Sequence, residues 1–309
     1  MNNAAQAPYA VVMVRPHRFN INSETAQDNA FQQQQLDIPK ADLAALVYDE
    51  VTTAEKLLCN QGVEVFLFDD EMGQSPDSVF PNNWFSTHTD GTVVLYPMFS
   101  RARRHERRHD IVDALSDRFS VKKVLDYSPH EQSGRFLEGT GSVVIDHPNS
   151  VIYAARSLRT DESLVQQLGR DLRCEVEVFD SIDGKGLSVY HTNVMMSVAS
   201  EFAILCTELI PKERDQKRVL NRLYSCGKTV IEITERQVQH FLGNVLELRT
   251  TKGTSLAMSR TAFNVLTESQ RATICQFSDF LVLDVPNIER SGGSVRCMLA
   301  GLHLPHKQC

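Results

Sequence analysis

The strongest constraint on how this 309-residue chain folds is a pattern that returns about every 55–60 residues: paired β-rich runs, a helical stretch, then a further β-rich run. "YAVVMV" at 9–14 reads as a strand. From Asp42 to Asn60, Leu43, Leu46, Val47, Val51, Ala54, Leu57 and Leu58 recur at helical spacing up to Gly62, and "VEVFLF" at 63–68 is the next strand. The cycle continues with strand 91–98, helix 103–118 and strand 121–127. Next come a hairpin over 142–155 around Pro148-Asn149, helix 161–172 and strand 174–180. Strand 201–209, helix 212–225 and strand 228–234 follow, and then "NVLELRT", "TSLAMS", a helix near 262–276 and strand 280–286. A supersecondary unit repeated at this period predicts an α/β array or closed ring. No Pro-, Gly- or Ser-rich linker interrupts it, so one domain over residues 1–309 is expected. A doubly wound nucleotide-binding sheet fits less well, because "VVMVRPHRF" has proline where a phosphate loop needs glycine.

Composition narrows the function classes. A formal charge of −7 argues against nucleic acid as a partner. The one basic cluster, "RARRHERRH" at 101–109, reads as a solvated helix face. No run approaches the ~18 apolar residues of a membrane span. "MNNAAQAPYA" has neither the charged nor the apolar region of a secretory leader. Seven cysteines stand singly at 59, 174, 206, 226, 275, 297 and 309, with no CxxC pair, which suits a reducing, cytoplasmic setting. No HExxH or paired Cys/His spacing predicts a metal, and no cofactor is expected.

Four stretches carry more polar and turn-forming residues than folding demands: "SPDSVFPNNWFSTH" (75–88), "RFLEGTGSVVID" (135–146), "LSVYHTNVMMSV" (187–198) and "SGGSVRCMLAGL" (291–302). Each follows a strand candidate, where segments converge on the mouth of an α/β fold. Taken singly, His191 reads as a core histidine, Glu138 as a surface turn, Asn82-Asn83 as a turn pair and Cys297 as an inert thiol. Together they supply a nucleophile, an acid/base, a carboxylate and a polar cradle, the minimum for covalent hydrolysis.

The order "PDSVFPNNW", "LEGTG", "YHTN", "GGSVRC" resembles the guanidine-modifying superfamily of arginine deiminases, dimethylargininases and amidinotransferases, above all its arginine-deiminase-related branch linked to citrulline utilisation. The resemblance implies a five-bladed α/β propeller (the pentein fold) of ββαβ units around a central site. It also implies Cys297 as nucleophile, His191 as general acid/base and Glu138 as the carboxylate that grips the planar nitrogen group. Asp77 then matches the acid holding the amino-acid end of the substrate. Arg103 and Arg159 match arginines that bind its α-carboxylate, a geometry suited to a guanidinium fork. The implied partner is a small amino acid; assembly into a homo-oligomer stays open.

The chain departs from the family pattern where acids become amides. Asn82 and Asn83 stand where dimethylargininases have acids, and Asn193 stands where deiminases have one. The stretch after Glu138 is Gly139-Thr140-Gly141-Ser142 instead of Gly-Gly-Asp. A buried guanidinium stripped of counter-charges is costly, whereas a neutral ureido group can use asparagine as donor and acceptor. A citrulline-like substrate is therefore expected. A guanidino hydrolase, an amidinotransferase and a non-catalytic amino-acid-binding relative are the alternatives. "FNINSETAQDNAFQ" (19–32) reads either as a lid or as a connecting loop, and Cys309 as an exposed terminal thiol.

Overall fold

The computed structural model describes residues 5–25, 29–33 and 38–307. Among them, fifteen strands form five three-stranded sheets. The strands are β1 (Ala10–Pro16), β2 (Glu64–Asp70), β3 (Phe85–Thr87), β4 (Thr92–Leu95), β5 (Lys123–Asp126), β6 (Val143–Asp146), β7 (Val151–Arg156), β8 (Glu175–Asp180), β9 (Met196–Val198), β10 (Phe202–Leu205), β11 (Thr229–Glu232), β12 (Leu246–Thr250), β13 (Gly253–Ser259), β14 (Asp279–Leu283) and β15 (Ala300–Leu302). Every sheet is wired alike. Its opening strand pairs antiparallel with the middle strand, and the middle strand pairs parallel with the last across a helical crossover, as the sense of the pairing requires. Four of these ββαβ units are continuous in sequence. The fifth is shared by the two ends of the chain: β15 lies antiparallel to β1, Val12 opposite Ala300, and β1 pairs parallel with β2.

The crossover helices form for ordinary reasons. Helix Lys40–Asn60 buries Leu43, Val47, Val51, Ala54 and Leu58 on one stripe, each large apolar side chain contributing roughly 1.5–3 kcal/mol. Leu46 and Leu57 point outward, at 40% and 38% exposure, so the stripe is narrower than the sequence implies. Helix Glu162–Leu172 starts where the Asp161 side chain accepts from the Leu164 amide. The expected helix near 262–276 is two, Arg260–Asn264 and Glu268–Ile274, because Thr267 and Gln270 form a capping box that starts a second helix. The helix expected at 103–118 also divides, into a 3-10 turn Ala102–Glu106 and helix His109–Arg118. The solvated-face reading of 101–109 fails in part, since Arg103 and Glu106 are buried.

Sequence reading misses β3, β9 and β15. Each has three residues ("FST", "MSV", "AGL"), too few to show a period. These are nevertheless opening strands. Residues of all five opening strands, Ser86 of β3, Ile145 of β6, Ser197 of β9, Leu246 of β12 and Gly301 of β15 among them, border one common cavity. Ahead of each opening strand the chain makes a tight turn: Pro81–Asn83, Gly139–Ser142, Thr192–Val194, residues 239–243 and Val295–Met298. These five turns carry the candidate site.

Candidate active site

Cys297 sits on the one-turn helix Val295–Met298 and is 2% exposed. Two asparagine amides point at its sulfur, Asn193 Nδ2 at 3.6 Å and Asn244 Nδ2 at 3.3 Å. Asn244 Nδ2 also donates to the Asn193 carbonyl at 3.1 Å, which ties the two turns together. The turn Pro81–Asn83 packs against both Gly139–Ser142 and Val295–Met298, and Gly139–Ser142 packs against Thr192–Val194. Two glycines permit this approach. Gly139 adopts φ +46°, and a Cβ there would come within 2.4 Å of the Asn82 carbonyl oxygen. A Cβ on Gly141 would lie 2.4 Å from Asn83 Nδ2 and 2.7 Å from His191 Nδ1, so amide and imidazole meet over a residue with no side chain.

His191 Nε2 is 2.8 Å from Glu138 Oε2, with both residues fully enclosed. Burial pushes Glu138 up, but Arg159, the His191 hydrogen bond and Arg103 outweigh it and hold the carboxyl well below its usual range. Burial pushes His191 down to about 4, against the raising influence of Glu138. The imidazole is therefore neutral at neutral pH. With a carboxylate at Nε2 it must donate there, which leaves the Nδ1 lone pair beside Gly141.

Arg103 and Arg159 approach Glu138 Oε2 at 3.5 and 3.6 Å. Neither is a surface arginine, since each is 2% exposed. Arg103 spends its fork on Glu106, Nε and Nη2 each 2.8 Å from a carboxylate oxygen. Asp77 lies 3.6 Å from Arg103 Nε and accepts from Asn22 Nδ2 at 2.8 Å. The Arg159 guanidinium rests 4.8 Å over the Tyr190 ring, and the Tyr190 hydroxyl donates to the Gly292 carbonyl on the approach to Cys297.

Residues 19–33 cross this assembly wherever they are described; 26–28 and Cys309 lie outside the described residues. Glu24 Oε2 accepts from Ser100 Oγ at 2.7 Å, Asn29 Nδ2 donates to the Ser291 carbonyl at 3.2 Å, and Gln33 N donates to the Arg290 carbonyl at 2.9 Å. With Asn22 donating to Asp77 and the Phe31 ring 6.0 Å from that of Tyr190, the described part of the segment touches three of the four polar stretches, and all nine residues singled out from the sequence are buried.

Sequence reading missed Asn244 and Glu106. The repeat contained the signal for Asn244: "TNVMMS" and "GNVLEL" place an Asn-Val pair just before successive opening strands. Glu106 was masked by the basic cluster around it. Inside the assembly, Asn82 Oδ1, Asn193 Oδ1, Asn244 Oδ1 and Asn83 Nδ2 are buried with no hydrogen-bond partner. Buried polar atoms without partners are costly, on the order of 1–3 kcal/mol each, and these four lie where a bound molecule would satisfy them.

Among the described residues, no helix is long and apolar enough to cross a membrane. Comparison with curated proteins gives no match. Among solved structures, the chain resembles ArgZ, an arginine dihydrolase from the ornithine–ammonia cycle in cyanobacteria, at 14% identity and a TM-score of 0.75, covering 96% of this chain and 41% of that one. The N-terminal domain of ArgZ, as an asparagine-to-serine variant covalently bonded to a reaction intermediate, superposes with a TM-score of 0.73 at 14% identity over 96% of this chain and 99% of that domain. A dimethylarginine dimethylaminohydrolase adduct with S-methyl-L-thiocitrulline gives 0.64 at 15% identity, over 94% and 98%. These likenesses establish a shared α/β fold, and the chain spans well under half of full-length ArgZ. The family model for eukaryotic N,N-dimethylarginine dimethylhydrolase matches residues 15–304, so the chain belongs to that family of the guanidine-modifying superfamily.

Proposed function

We propose that the chain is a cysteine hydrolase acting on a C–N bond of an arginine-like amino acid, with a citrulline-type ureido group as the preferred reacting group. The observation that carries this reading is the set of orphaned amide atoms. Three are acceptors and one is a donor. A substituted ureido group offers three N–H donors and one carbonyl acceptor, whereas a guanidinium has no acceptor for Asn83 Nδ2.

The steps follow from the chemistry of these groups. Neutral His191 takes the thiol proton, and Cys297 Sγ, with Asn193 and Asn244 donating to it, attacks the ureido carbon. The bond to the side-chain nitrogen breaks as His191 returns the proton to the departing amine, leaving an S-carbamoyl cysteine and ornithine. Water, deprotonated by His191, breaks the C–S bond and releases carbamate, which falls apart to CO2 and ammonia. Glu138 fixes the imidazole tautomer and balances its positive charge. Asp77 and Arg159 take the amino and carboxylate ends of the substrate. Arg103 contributes mainly charge, because its fork is committed to Glu106. The described residues of 19–32, which contact Asp77, Ser291 and Tyr190, act as a lid that opens before substrate enters. The five sheets are the blades of a single-domain propeller, a reading supported by their common wiring and by the cavity that all five opening strands border.

A second reading, a guanidino hydrolase, has its own support. Glu138 is held ionised, and the family and the neighbours named above are guanidino hydrolases. Steady-state product release separates the two: ornithine and ammonia from citrulline, citrulline and ammonia from arginine, and citrulline and dimethylamine from dimethylarginine. The ureido reading expects citrulline to be turned over with the highest kcat/KM. Arginine or dimethylarginine ahead by tenfold or more overturns it in favour of the second reading, and no release from any of them overturns both.

A further inference from the structure

Residues of the five opening strands, together with Arg296, border a cavity of about 40 Å³. At roughly 10–15 Å³ per water position, it holds about three waters or one small ion. Its wall includes no Asp, Glu or Lys, and its one permanently charged group is Arg296, the residue next to the reactive cysteine. Among the described residues, Arg296 makes one side-chain hydrogen bond, from Nη1 to the Leu299 carbonyl at 2.9 Å; the neighbouring Cys297 sulfur favours its charge, and no carboxylate does. Burial pushes its pKa down to about 10, so it remains a cation at neutral pH. Arg103, Arg156 and Arg218, by contrast, are each paired with carboxylates. A partly buried guanidinium beside an acid-free cavity, with no carboxylate partner, is costly to maintain.

Three histidines border the same cavity, and none enters the chemistry proposed for Cys297. His147 and His303 lie 3.9 Å apart ring to ring, and His88 lies 6.2 Å from His147. Among the described residues, no group of three or more His, Cys, Asp or Glu is arranged to hold a metal. The His147 amide is held by Gln6 Oε1 at 2.9 Å, and Ser86 Oγ lies 2.8 Å from His88 Nε2. One unpaired cation, imidazole N–H groups and a small volume without acids make a built receptor for negative charge.

We propose that this cavity is a binding site for one small inorganic anion, of the size of chloride, held by the Arg296 guanidinium with the His147 and His303 rings beside it. The anion supplies the counter-charge that the protein withholds. The proposal is independent of which group reacts at Cys297.

The probe is a halide. Crystals of the full chain soaked in bromide and measured at the bromine edge are expected to show an anomalous peak in the cavity, within about 4 Å of the guanidinium. The peak is expected to be absent from Arg296→Met and retained, weaker, in Arg296→Lys. In solution, replacing gluconate by 200 mM chloride is expected to raise the melting temperature of the wild type by about 2–4 °C, a gain that Arg296→Met loses. In gluconate alone, Arg296→Met is expected to melt no lower than the wild type, because it removes a partly buried charge that has no carboxylate partner. A merely structural arginine would instead lower it. No peak in the cavity, a peak unchanged in Arg296→Met, or equal chloride stabilisation of both proteins overturns the proposal.

Discussion

At the scale of single residues, the site depends on amide nitrogens and on missing side chains. Asn193 and Asn244 both donate to Cys297 Sγ. Asn244→Ala is expected to slow alkylation of Cys297 by iodoacetamide at neutral pH by about tenfold, since a hydrogen bond to a charged group contributes about 1.5–3 kcal/mol. Peptide mapping of the labelled protein reads the rate, with exposed Cys275 as internal reference. Gly141→Ala would drive a methyl group against both Asn83 and the His191 ring. A fall in kcat of at least tenfold with little change in melting temperature is expected; a variant of wild-type activity would show that the close approach does not matter. Asn244 was legible in principle from the repeated Asn-Val pair. Its contact with sulfur was not, because the two residues stand 53 positions apart.

At the scale of elements, the reactive turn is fixed by tethers from elsewhere in the fold. Glu289 accepts from Ser294 Oγ at 2.7 Å and from Thr261 Oγ1 at 2.6 Å, and Tyr190 reaches Gly292. Tyr190→Phe keeps the ring beneath Arg159 and removes the tether. It is expected to cost about 1 kcal/mol in chemical denaturation and to lower kcat more than it changes KM; an unchanged kcat would release the tether from any role in positioning Cys297. Long amphipathic helices and strands of four or more residues were readable from periodicity. The three-residue opening strands were not, because their existence depends on the middle strand each one pairs with.

At the scale of the whole molecule, buried histidines decide acid stability. Burial pushes His88 and His191 down to about 4 and His303 to about 3, and holds His147 well below its ordinary value. In the unfolded chain each titrates near 6.5. Between about pH 6.5 and pH 4 the unfolded state therefore binds more protons, and stability is lost as pH falls through that window. Acid unfolding followed by circular dichroism is expected to be cooperative with a midpoint in this range, and potentiometry to show a net uptake of more than one proton, the histidine uptake being partly offset by Glu106, whose carboxyl burial pushes up to about 7. Uptake of less than one would mean that the histidines are charged in the folded protein.

The sequence alone determined the alternation of strands and helices, the period of the repeat and the four stretches rich in polar turns. Each of these is a local pattern of side-chain type, written within one unit. The tertiary structure decided which turns face one another, which arginines are buried, how the two ends of the chain share a sheet, and where an unpaired guanidinium meets a cavity. Those are relations between residues tens to hundreds of positions apart, and only packing brings them within a few ångströms.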